Sequence, residues 1–588
     1  MDFSLLVKTF EQMEETSSRI ALTNHLVSLL KNTQSDIIDK VIYLIQGKLY
    51  PDYEAIELGL AEKMAIRALA QSAGLDIATI EEIYQKTGDL GDTAREVTKS
   101  RSQTTLFTEK MTVKRVYYTL DKIARTVGPG SQEIKLRFLS SLLNDATSSE
   151  SRYIMKFVMG SLRLGIADYT VMDALAIAFT GQKSNRKVLE EAYNVASDLG
   201  MVAKLLGTKG LESVKLLQVM LYKPIRPMLA ERVSTAAEAL ERMNNIAAAE
   251  YKLDGERIQI HKRKENVQLF SRSLQNITDH YPDVAELIKS IKIDQAILEA
   301  EVVAVNAETD EFLPFQELMH RRRKYGIKQA MENYPVVVNL FDLLYLNGES
   351  KTNLTYLERR RLIQKITQGL KSEKVRLVPQ TIVKTAEQIE KFMVSAIERG
   401  CEGLMIKQLT STYRAGAREF AWIKLKREYR SDLVDTLDLV IVGAIFGRGR
   451  RVGKYGALLL AAYDPITDMF KSSCKVGTGF TDQHLEEFYK KLENHVITHR
   501  HARVDTGIQM DVWFEPKIVI EVIASEITLS PSYTAAINSI RQGYGLALRF
   551  PKFTGKIRYD KNPEDATNVE ELVTIYKQQL KAIRNHKI

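Results

Sequence analysis

The chain has 588 residues, of which 45% are hydrophobic and 27% charged, and it carries 83 lysine and arginine residues against 74 aspartate and glutamate residues. This balance is typical of a globular protein, and the length suggests about three to five domains with ample buried cores. The formal net charge of +9 permits a polyanionic partner. Two cysteines, Cys401 and Cys474, allow at most one disulfide bridge and exclude an all-cysteine zinc site, while mixed Cys/His ligation stays open, and they fit a reducing compartment.

The first 220 residues are predicted to form an all-α domain. Apolar residues recur there at spacings of three and four, as in QEIKLRFLSSLL (132–143) and RYIMKFVMGSLRLGI (152–166), and strand-like alternation is nearly absent. The opening segment carries Lys8 and several acidic residues, which predicts an amphipathic helix rather than a secretion signal. Two prolines in KPIRPMLAE (223–231) predict an extended linker.

Residues 221–430 are predicted to form a mixed α/β domain with much antiparallel sheet. Short alternating segments such as RIQIHKR (257–263) and AILEAEVVAV (296–305) stand between helical ones such as YLERRRLIQKI (356–366). From 431 to 588, short strands separated by glycines, as in TLDLVIVGAIFG (436–447), predict a barrel of about five strands such as an OB-fold. A closing helix is predicted at NVEELVTIYKQQLKAI (568–583).

Lys252 stands beside a predicted turn in the stretch EYKLDGER (250–257). Asp254-Gly255 is a strong hairpin signal because both residue types tolerate positive φ. Ile258 and Ile260 then alternate with polar residues, as in a half-buried strand. Taken alone, a lysine at this place is more typical of a solvated residue than of a functional one.

Charged residues interrupt several apolar strands of the middle region. Each alone is more typical of a charge at a sheet edge, which deters aggregation. Together they favour a nucleotide site with magnesium, since lysines bind phosphates, carboxylates hold the metal and an aromatic ring stacks on a base. Alternate residues of a strand share one face, so these side chains could line one cleft. The residues are Lys252, Glu299, Glu301, Phe341, Asp342, Glu402, Lys407, Lys424 and Lys426.

These motifs carry a resemblance to a known family. EYKLDGER resembles the KxDG nucleophile motif of covalent nucleotidyltransferases, and SRS (271–273) resembles the next motif, with Ser273 where asparagine is usual. AEVVA (300–304), LFDLLYLNG (340–348), EGLMIK (402–407) and AWIKLK (421–426) follow in the family's order, and RFPKFTGKIRYDKNPEDATN (549–568) resembles its terminal motif. The chain therefore resembles ATP-dependent DNA ligases of the archaeal and eukaryotic replicative type over nearly its whole length.

The resemblance implies an activity and its cofactors. Lys252 would attack the α-phosphate of ATP and form a lysyl-AMP phosphoramidate, with Mg²⁺ or Mn²⁺ as the metal. The AMP would pass to the 5′-phosphate of a nick, and the 3′-hydroxyl would displace it and seal the strand in replication, repair and recombination, and so in the cell cycle and cell division. Free lysine is protonated at pH 7. We expect neighbouring cations (Lys424, Lys426 and a bound metal) and partial burial to favour the neutral amine.

Roles for the matched residues follow from the resemblance. Glu250 would read the adenine, and Phe341 would stack on it. Glu301 and Glu402 would hold the metal, and Arg272 would also meet the 5′-phosphate of the nick. Residues expected to contact ribose and phosphate are Arg257, Arg272, Glu301, Lys407, Arg418, Lys424 and Lys426. Those expected to orient the pyrophosphate and then to swing away, about a hinge near Ser431–Asp435, are Arg558, Asp560 and Lys561.

Partners are implied in the same way. The substrate would be nicked double-stranded DNA, bound by all three domains of a monomer, with GRGRRVGKYG (447–456) and HRRRKYGIK (320–328) as candidate phosphate contacts. RSQTTLFTEK (101–110) resembles a sliding-clamp-binding motif through Gln103, Leu106 and Phe107, although a loop that buries its own apolar residues is equally expected. No uncharged apolar run approaches the roughly 18 residues of a membrane span. The expectation is a cytoplasmic protein, nucleoid-associated if archaeal.

Other functions share parts of this pattern. An RNA ligase or mRNA-capping enzyme would use the same lysine chemistry. The long helical N-terminal region and the particular residues of the motifs EGLMIK and AWIKLK disfavour this alternative. An NAD-dependent DNA ligase would need a four-cysteine zinc module, and a non-catalytic DNA-binding scaffold would not need the full set of lysines and carboxylates. The sequence leaves the choice among ATP, ADP and GTP open, and also the preferred metal.

Overall fold

The computed structural model describes residues 1–100, 109–305, 312, 315–321, 326–370, 372–399, 401–426, 436–447, 453–524, 526–530, 532–549 and 551–584. The chain divides into two compact units. The first comprises Met1–Glu231, Leu253–Gln380 and Lys407–Trp422. The second comprises Arg232–Lys252, Thr381–Ile406 and Ile423–Ile588. The predicted domain boundaries at 220 and 430 stay predictions.

Apart from one isolated bridge between Asp2 and Thr112, the regular elements in the described part of residues 1–220 are helices, as their periodicity predicts. Local signals fix several helix starts: Thr147 and Glu150, for example, form a reciprocal capping box at the start of one helix. The apolar stripes of the helices meet in one core that includes Leu26, Ile42 and Leu139. The helices are α1 (Phe3–Glu14), α2 (Arg19–Lys31), α3 (Ile38–Ile45), α4 (Glu62–Ala73), α5 (Ile77–Thr87), α6 (Leu90–Lys99), α7 (Val113–Arg125), α8 (Ser131–Asp145), α9 (Ser148–Val158), α10 (Asp168–Thr180), α11 (Arg186–Ala196) and α12 (Leu199–Lys215).

The middle of the chain alternates strands and helices, which confirms a mixed domain with antiparallel sheets. Its elements are β1 (Leu229–Arg232), α13 (Ala236–Arg242), β2 (Ala247–Lys252), β3 (Glu256–Arg263), β4 (Asn266–Ser271), α14 (Pro282–Lys289), β5 (Gln295–Ala304), α15 (Phe315–Met319), α16 (Ile327–Asn333), β6 (Val336–Leu346), β7 (Glu349–Ser350), α17 (Tyr356–Thr367), β8 (Val375–Leu377), β9 (Gln380–Val383), α18 (Ala386–Glu398), β10 (Gly403–Lys407) and β11 (Arg418–Lys426). They build two sheets. One has the strand order β4-β3-β5-β6-β7, with β8 parallel to β6, and the other has the order β1-β11-β10-β2-β9.

The predicted hairpin at Asp254-Gly255 is wrong. The strands on either side of it, β2 and β3, belong to different sheets, and neither Asp254 nor Gly255 has a positive φ. Glycine is needed at 255 for another reason: a Cβ there would lie 2.3 Å from the Val302 carbonyl oxygen. Asp254 accepts a hydrogen bond from the Phe315 amide at 3.2 Å. The dipeptide therefore carries the chain from one sheet to the next.

Strand β3 is buried on both faces rather than half-buried. Gln259 and His261, on the face that the sequence predicts to be polar, are both buried. They hold the proline-containing segment before β1: Gln259 Oε1 accepts from the Ile225 amide at 2.7 Å, and His261 Nδ1 accepts from the Tyr222 amide at 2.9 Å. The predicted linker is thus hydrogen-bonded along β3, and its last residues form β1.

The C-terminal region is rich in strands, as predicted, and the predicted closing helix forms. Its elements are β12 (Leu437–Phe446), β13 (Tyr455–Asp464), β14 (Met469–Val476), α19 (Asp482–Glu493), β15 (Val496–Ile497), β16 (Val504–Asp505), β17 (Val512–Phe514), β18 (Val519–Ile523), β19 (Glu526–Ser530), β20 (Gly545–Arg549), β21 (Lys552–Ile557) and α20 (Val569–Arg584). Eight of these strands form one sheet, rather than the predicted five or so, in the order β15-β17-β12-β13-β14-β16, with β18 joining β12 to β21. Leu439, Ile441 and Phe514 lie in its core. Among the described residues, no helix is both long enough and apolar enough to cross a membrane.

Candidate active site

Lys252 is the last residue of β2, and its side chain contacts the carboxylate of the residue that directly precedes the neighbouring strand β10. Lys252 Nζ donates to Glu402 Oε2, and Lys426 Nζ from the next strand lies 3.0 Å from the same oxygen. The Glu402 amide also donates to the Lys252 carbonyl at 2.8 Å, which fixes the two residues side by side. Three adjacent strands thus place a lysine, a glutamate and a lysine in one row.

This row is open to solvent in part. The side chains of Lys252, Glu402 and Lys426 are 22%, 18% and 20% exposed. The sequence predicts cationic surroundings for Lys252, and Lys426 supplies them, but the group in direct contact is a carboxylate. Two ammonium groups share one carboxylate, so the row keeps an excess positive charge that suits a phosphate.

Glu402 is held in place by the glycine that follows it. Gly403 has a φ of +148°, and a Cβ there would lie 2.3 Å from the Leu425 carbonyl oxygen and 2.9 Å from Lys426 Cα. Only glycine lets β10 approach β11 this closely. The EG pair of EGLMIK therefore brings the carboxylate against both lysines.

The two faces of β2 differ in what they carry. Glu250 and Lys252 alternate with Tyr251, so they lie on the opposite face of the strand. Tyr251 contacts α18, where its hydroxyl is 2.6 Å from Ser395 Oγ and its ring centroid is 4.7 Å from that of Phe392. Glu250 is buried. Packing of Tyr251 against the helix thus leaves the other face for the charged residues.

Arg257, in the first unit, forms an ion pair with the buried carboxylate of Glu299. Its Nη2 donates to both oxygens of Glu299, at 2.8 and 2.7 Å, and its Nη1 donates to the Met228 carbonyl at 2.8 Å. Burial lowers the pKa of the Arg257 guanidinium, but the Glu299 carboxylate outweighs this effect and the pKa lies above its ordinary value. The guanidinium carbon lies 5.4 Å from the Phe341 ring centroid. Arg257 is therefore a permanent cation with a fixed position.

Lys407 is enclosed by three aromatic rings of the same unit. Its Nζ lies 4.2 Å from the ring centroid of Trp422, 4.8 Å from that of Phe341 and 5.1 Å from that of Tyr356. Phe341, which the sequence assigns to the base, thus contacts two cations and packs edge-on against Trp422, at 6.2 Å between centroids. Attraction between a cation and the face of a ring stabilises this group.

The other residues matched by the motifs differ in exposure. Glu301 is half-buried and faces Arg257 across the β3–β5 register, although the ion pair of Arg257 is with Glu299. Arg272 and Arg418 are exposed, which suits contacts with a large ligand. Lys424 lies on the same face of β11 as Lys426, as predicted, with Ile423 and Leu425 buried on the other face.

The terminal motif forms a compact charged group in the second unit. Arg558 donates to Asp560 through Nε at 2.9 Å and Nη2 at 2.7 Å, and it also donates to Asp438. Lys561 Nζ lies 2.8 Å from the same Asp438 carboxylate. The hydrogen bonds from Arg558 hold the pKa of Asp560 far below its ordinary value. The structure thus brings the three predicted residues together and adds Asp438.

Some predicted segments lie wholly or partly outside the described residues. They include Gln103, Leu106 and Phe107 of the candidate clamp motif, the hinge at Ser431–Asp435, and residues 448–452 of the basic loop. Of the basic run 320–328, Arg321 is buried and paired with Asp283, so it serves the fold rather than a phosphate. Lys454 of the loop pairs with Glu486 at 3.0 Å.

Comparison with known proteins places this arrangement in a family. The model of the ATP-dependent DNA ligase domain matches residues 227–426, that of the DNA ligase N terminus matches 2–176, and that of the ATP-dependent DNA ligase C-terminal region matches 451–561. A DNA ligase of Nitrosopumilus maritimus strain SCM1 is 53% identical, with 100% of both chains covered. The chain belongs to the ATP-dependent DNA ligase family.

Other relatives of this ligase are similar along their whole length. A DNA ligase of Cenarchaeum symbiosum strain A is 53% identical over 99% of both chains, and DNA ligase 2 of Thermofilum pendens strain DSM 2475 / Hrk 5 is 50% identical over 99% of this chain and 98% of its own. The solved structure named Pmar-Lig_PreS3 has a TM-score of 0.55 at 18% identity and covers 94% of the ligase and 99% of its own chain. That likeness concerns the fold alone.

A divalent metal would be held in the ligase by few protein groups. Within the described ranges, no cluster of three His, Cys, Asp or Glu side chains could hold a metal ion. Mg²⁺ is usually bound through one or two carboxylates and the substrate phosphates rather than in an all-protein cage. Glu402, partly exposed beside Lys252, fits this mode, and half-buried Glu301 is the second carboxylate of the matched motifs.

Sequence reasoning missed several groups that position the ligase's charged residues. The sequence places Glu299 only in the general set of charged residues that could line a cleft, and it assigns no role to Trp422, Tyr356 and Asp438. Their roles depend on contacts between strands far apart in sequence. Only Glu299 left a signal, as a carboxylate inside an apolar strand.

Proposed function

We propose that this ligase seals nicks in duplex DNA through an AMP carried on Lys252. The single observation that supports this most is the Lys252–Glu402–Lys426 row, which is partly open to solvent and has a net positive charge. A phosphate bound there lies against the amine that must attack it. Family membership supplies the reaction, and the row supports the choice of lysine.

The first step forms one bond and breaks another. Lys252 Nζ attacks the α-phosphorus of ATP, a P–N bond forms, and the bond to the β-phosphate oxygen breaks, so that pyrophosphate leaves with the electron pair. The amine must lose a proton, and Glu402 Oε2 is in hydrogen-bond contact to take it up. Lys426 then faces the charge that grows on the phosphoryl oxygens.

Two further steps return the enzyme to its starting state. An oxygen of the 5′-phosphate at the nick attacks the AMP phosphorus, the P–N bond breaks, and Lys252 takes back a proton. The 3′-hydroxyl then attacks the 5′-phosphate, loses its proton, and displaces AMP. Arg272, which is exposed, is our candidate for the contact with the 5′-phosphate.

Metal and nucleotide assignments complete the proposal. Glu402 and Glu301 are our candidate ligands for Mg²⁺ or Mn²⁺, which would neutralise negative charge on the triphosphate. Glu250 reads the adenine and Phe341 stacks on it. Contacts with ribose and phosphate are assigned to Arg257, Glu301, Lys407, Arg418 and Lys424. Pyrophosphate is oriented by Arg558, Asp560 and Lys561, whose hinge we place at Ser431–Asp435.

The partners follow from the substrate. We propose nicked duplex DNA as the ligand of a monomeric ligase, acting where chromosomal DNA lies, in the cytoplasm at the nucleoid if the source is archaeal. A sliding clamp that binds Gln103–Phe107 is proposed from the motif alone. Deleting these residues should abolish clamp binding, and unchanged affinity would remove this partner.

Substitution of the nucleophile tests the proposal. Lys252→Ala should abolish transfer of label from α-labelled ATP to the protein, because no amine remains to form the phosphoramidate. It should still seal a pre-adenylated nick slowly, since that step uses AMP already on the DNA. The readouts are labelled protein on a gel and the sealed product.

Lys384→Ala is the matched control. Lys384 is exposed and directly follows β9, the strand that pairs with β2, but it has no assigned role. This variant should label and seal as the unchanged protein does. Normal labelling of Lys252→Ala would refute the assignment of Lys252. Loss of labelling in both variants would also refute it, because the loss would not be specific to Lys252.

A further inference from the structure

Asp438 stands at the centre of the terminal motif. It lies on β12, and its Oδ2 accepts from both Arg558 Nη1 and Lys561 Nζ. The Asp438 side chain is only 9% exposed. A carboxylate with so little water around it depends on its cationic partners.

The main chain fixes Asp438 independently of those partners. Its amide donates to Thr567 Oγ1 at 3.0 Å, and its carbonyl accepts from the Thr567 amide at 2.8 Å. β12 pairs with β18, β18 pairs with β21, and β21 leads directly to Arg558. The carboxylate is therefore part of the rigid sheet, whereas Arg558 and Lys561 reach it through flexible side chains.

The second oxygen of Asp438 makes the carboxylate more dependent on the two cations. Asp438 Oδ1 is buried and accepts no hydrogen bond from the described residues. If Arg558 and Lys561 leave to bind phosphates, Asp438 becomes a largely buried carboxylate without compensation, which is unfavourable. Because Asp438 is fixed in the sheet, it is unfavourable for Arg558 and Lys561 to leave its carboxylate.

We propose that Asp438 is a positioning residue that holds Arg558 and Lys561 between turnovers and competes for them with the polyphosphate of ATP. The inference rests on the proposed role of these two residues in orienting pyrophosphate. Asp438 binds both cations and Asp560 also binds Arg558, and the phosphates of ATP are the alternative to Asp438. Removing the charge of Asp438 therefore favours the binding of Arg558 and Lys561 to the phosphates.

The test is Asp438→Asn in the full-length protein. The amide keeps the size of the side chain and one acceptor oxygen but removes the charge, and the bonds to Thr567 remain because they use the main chain. We expect the KM for ATP in self-adenylation to fall about fivefold, the scale of one weakened charge-assisted hydrogen bond, while kcat changes less than about twofold. Inorganic pyrophosphate should also reverse the adenylation at a lower concentration.

Asp464→Asn is the matched control. Asp464 lies on the neighbouring strand β13, its side chain is also 9% exposed, and its cationic partner is Lys471, at 2.7 Å, rather than Arg558 or Lys561. It should leave the KM for ATP unchanged. If Asp438→Asn also leaves KM unchanged, or lowers only kcat and the unfolding temperature as a purely structural ion pair would, the inference is overturned. Should Asp438→Asn fail to fold, Asp438→Ser provides the same measurement.

A second comparison separates this inference from the proposed function. Arg558→Gln with Lys561→Gln should raise the KM for ATP, and adding Asp438→Asn to this pair should change nothing further, because the groups on which Asp438 acts are gone. If the paired variant adenylates normally, the proposed role of the terminal motif is wrong. If it is impaired while Asp438→Asn matches Asp464→Asn, only the inference about Asp438 fails.

Discussion

At the scale of single residues, the sequence predicts which lysine reacts but not what it contacts. Lys252 follows from the KxDG pattern, and Glu402 from a later motif. Their ion pair joins positions 150 residues apart, which no local pattern encodes. The same holds for Arg257, whose partner Glu299 is set by the register of β3 and β5. Residue types were thus predictable, whereas pairing depended on the sheets.

His261 gives a prediction of pH dependence at this scale. Burial lowers the pKa of His261 from 6.5 to about 3. Between these values the unfolded chain binds a proton that the folded chain does not, so stability should fall as pH falls from 6.5 towards 3. Hydrogen exchange of the β3 amides, measured across this range, should show faster opening at low pH.

A pair of variants isolates this effect. His261→Gln should flatten the dependence, although it lowers stability at neutral pH by disturbing the contacts of Gln259 and Tyr222. His499→Gln, at an exposed position, should leave the dependence unchanged. If stability depends on pH equally in the unchanged protein and in both variants, His261 is not the titrating group.

At the scale of elements, hydrophobic periodicity predicted the helices and strands well, whereas the turn signal at Asp254-Gly255 predicted the wrong connection between strands. The closing helix was predicted within one residue at each end. The Asp254-Gly255 pair looked like a hairpin because a local turn signal does not reveal which sheet receives the next strand. The close approach at Val302, which the hairpin pattern cannot show, explains the glycine.

Gly403 provides the prediction at this scale. Gly403→Ala should destabilise the pairing of β10 with β11 by roughly 2–6 kcal/mol, from backbone strain plus overlap with the Leu425 carbonyl. Displacement of Glu402 should also slow self-adenylation. Hydrogen exchange of the β10 and β11 amides measures the local opening.

Gly207→Ala is the control for this change. Gly207 lies inside α12, and the nearest atom to an added Cβ is Phe179 Cε1 at 3.6 Å, an ordinary contact. Alanine there should stabilise the helix by roughly 0.5–1 kcal/mol. Equal behaviour of the two variants would contradict the account of Gly403.

At the scale of the whole molecule, the order of helical, mixed and strand-rich regions follows from hydrophobic period alone. The division into two compact units does not follow from this period, because Lys252 ends a segment of one unit and Leu253 begins a segment of the other. Sequence patterns are local, while a unit collects distant segments. The excess of nine positive charges permits an anionic partner without identifying it.

Salt dependence of DNA binding tests that partner. A protein with roughly 6–10 phosphate contacts loses about 10³–10⁵-fold in affinity between about 50 and 200 mM salt. We expect a nicked duplex to show this loss in a titration, with the logarithm of affinity falling linearly. Arg272→Gln should reduce the slope by about 0.9, the value for one phosphate contact. Lys384→Gln should leave it unchanged, and an equal slope for Arg272→Gln would remove the proposed contact.

The most direct measurement is the location of the AMP on the protein. The ligase is incubated with ATP and Mg²⁺, digested under conditions that preserve phosphoramidates, and its peptides are sequenced by mass spectrometry. The account predicts one adenylyl group, on Lys252, which disappears when a nicked duplex is added. An adenylyl group on another lysine, or nick sealing with none at any position, would contradict it.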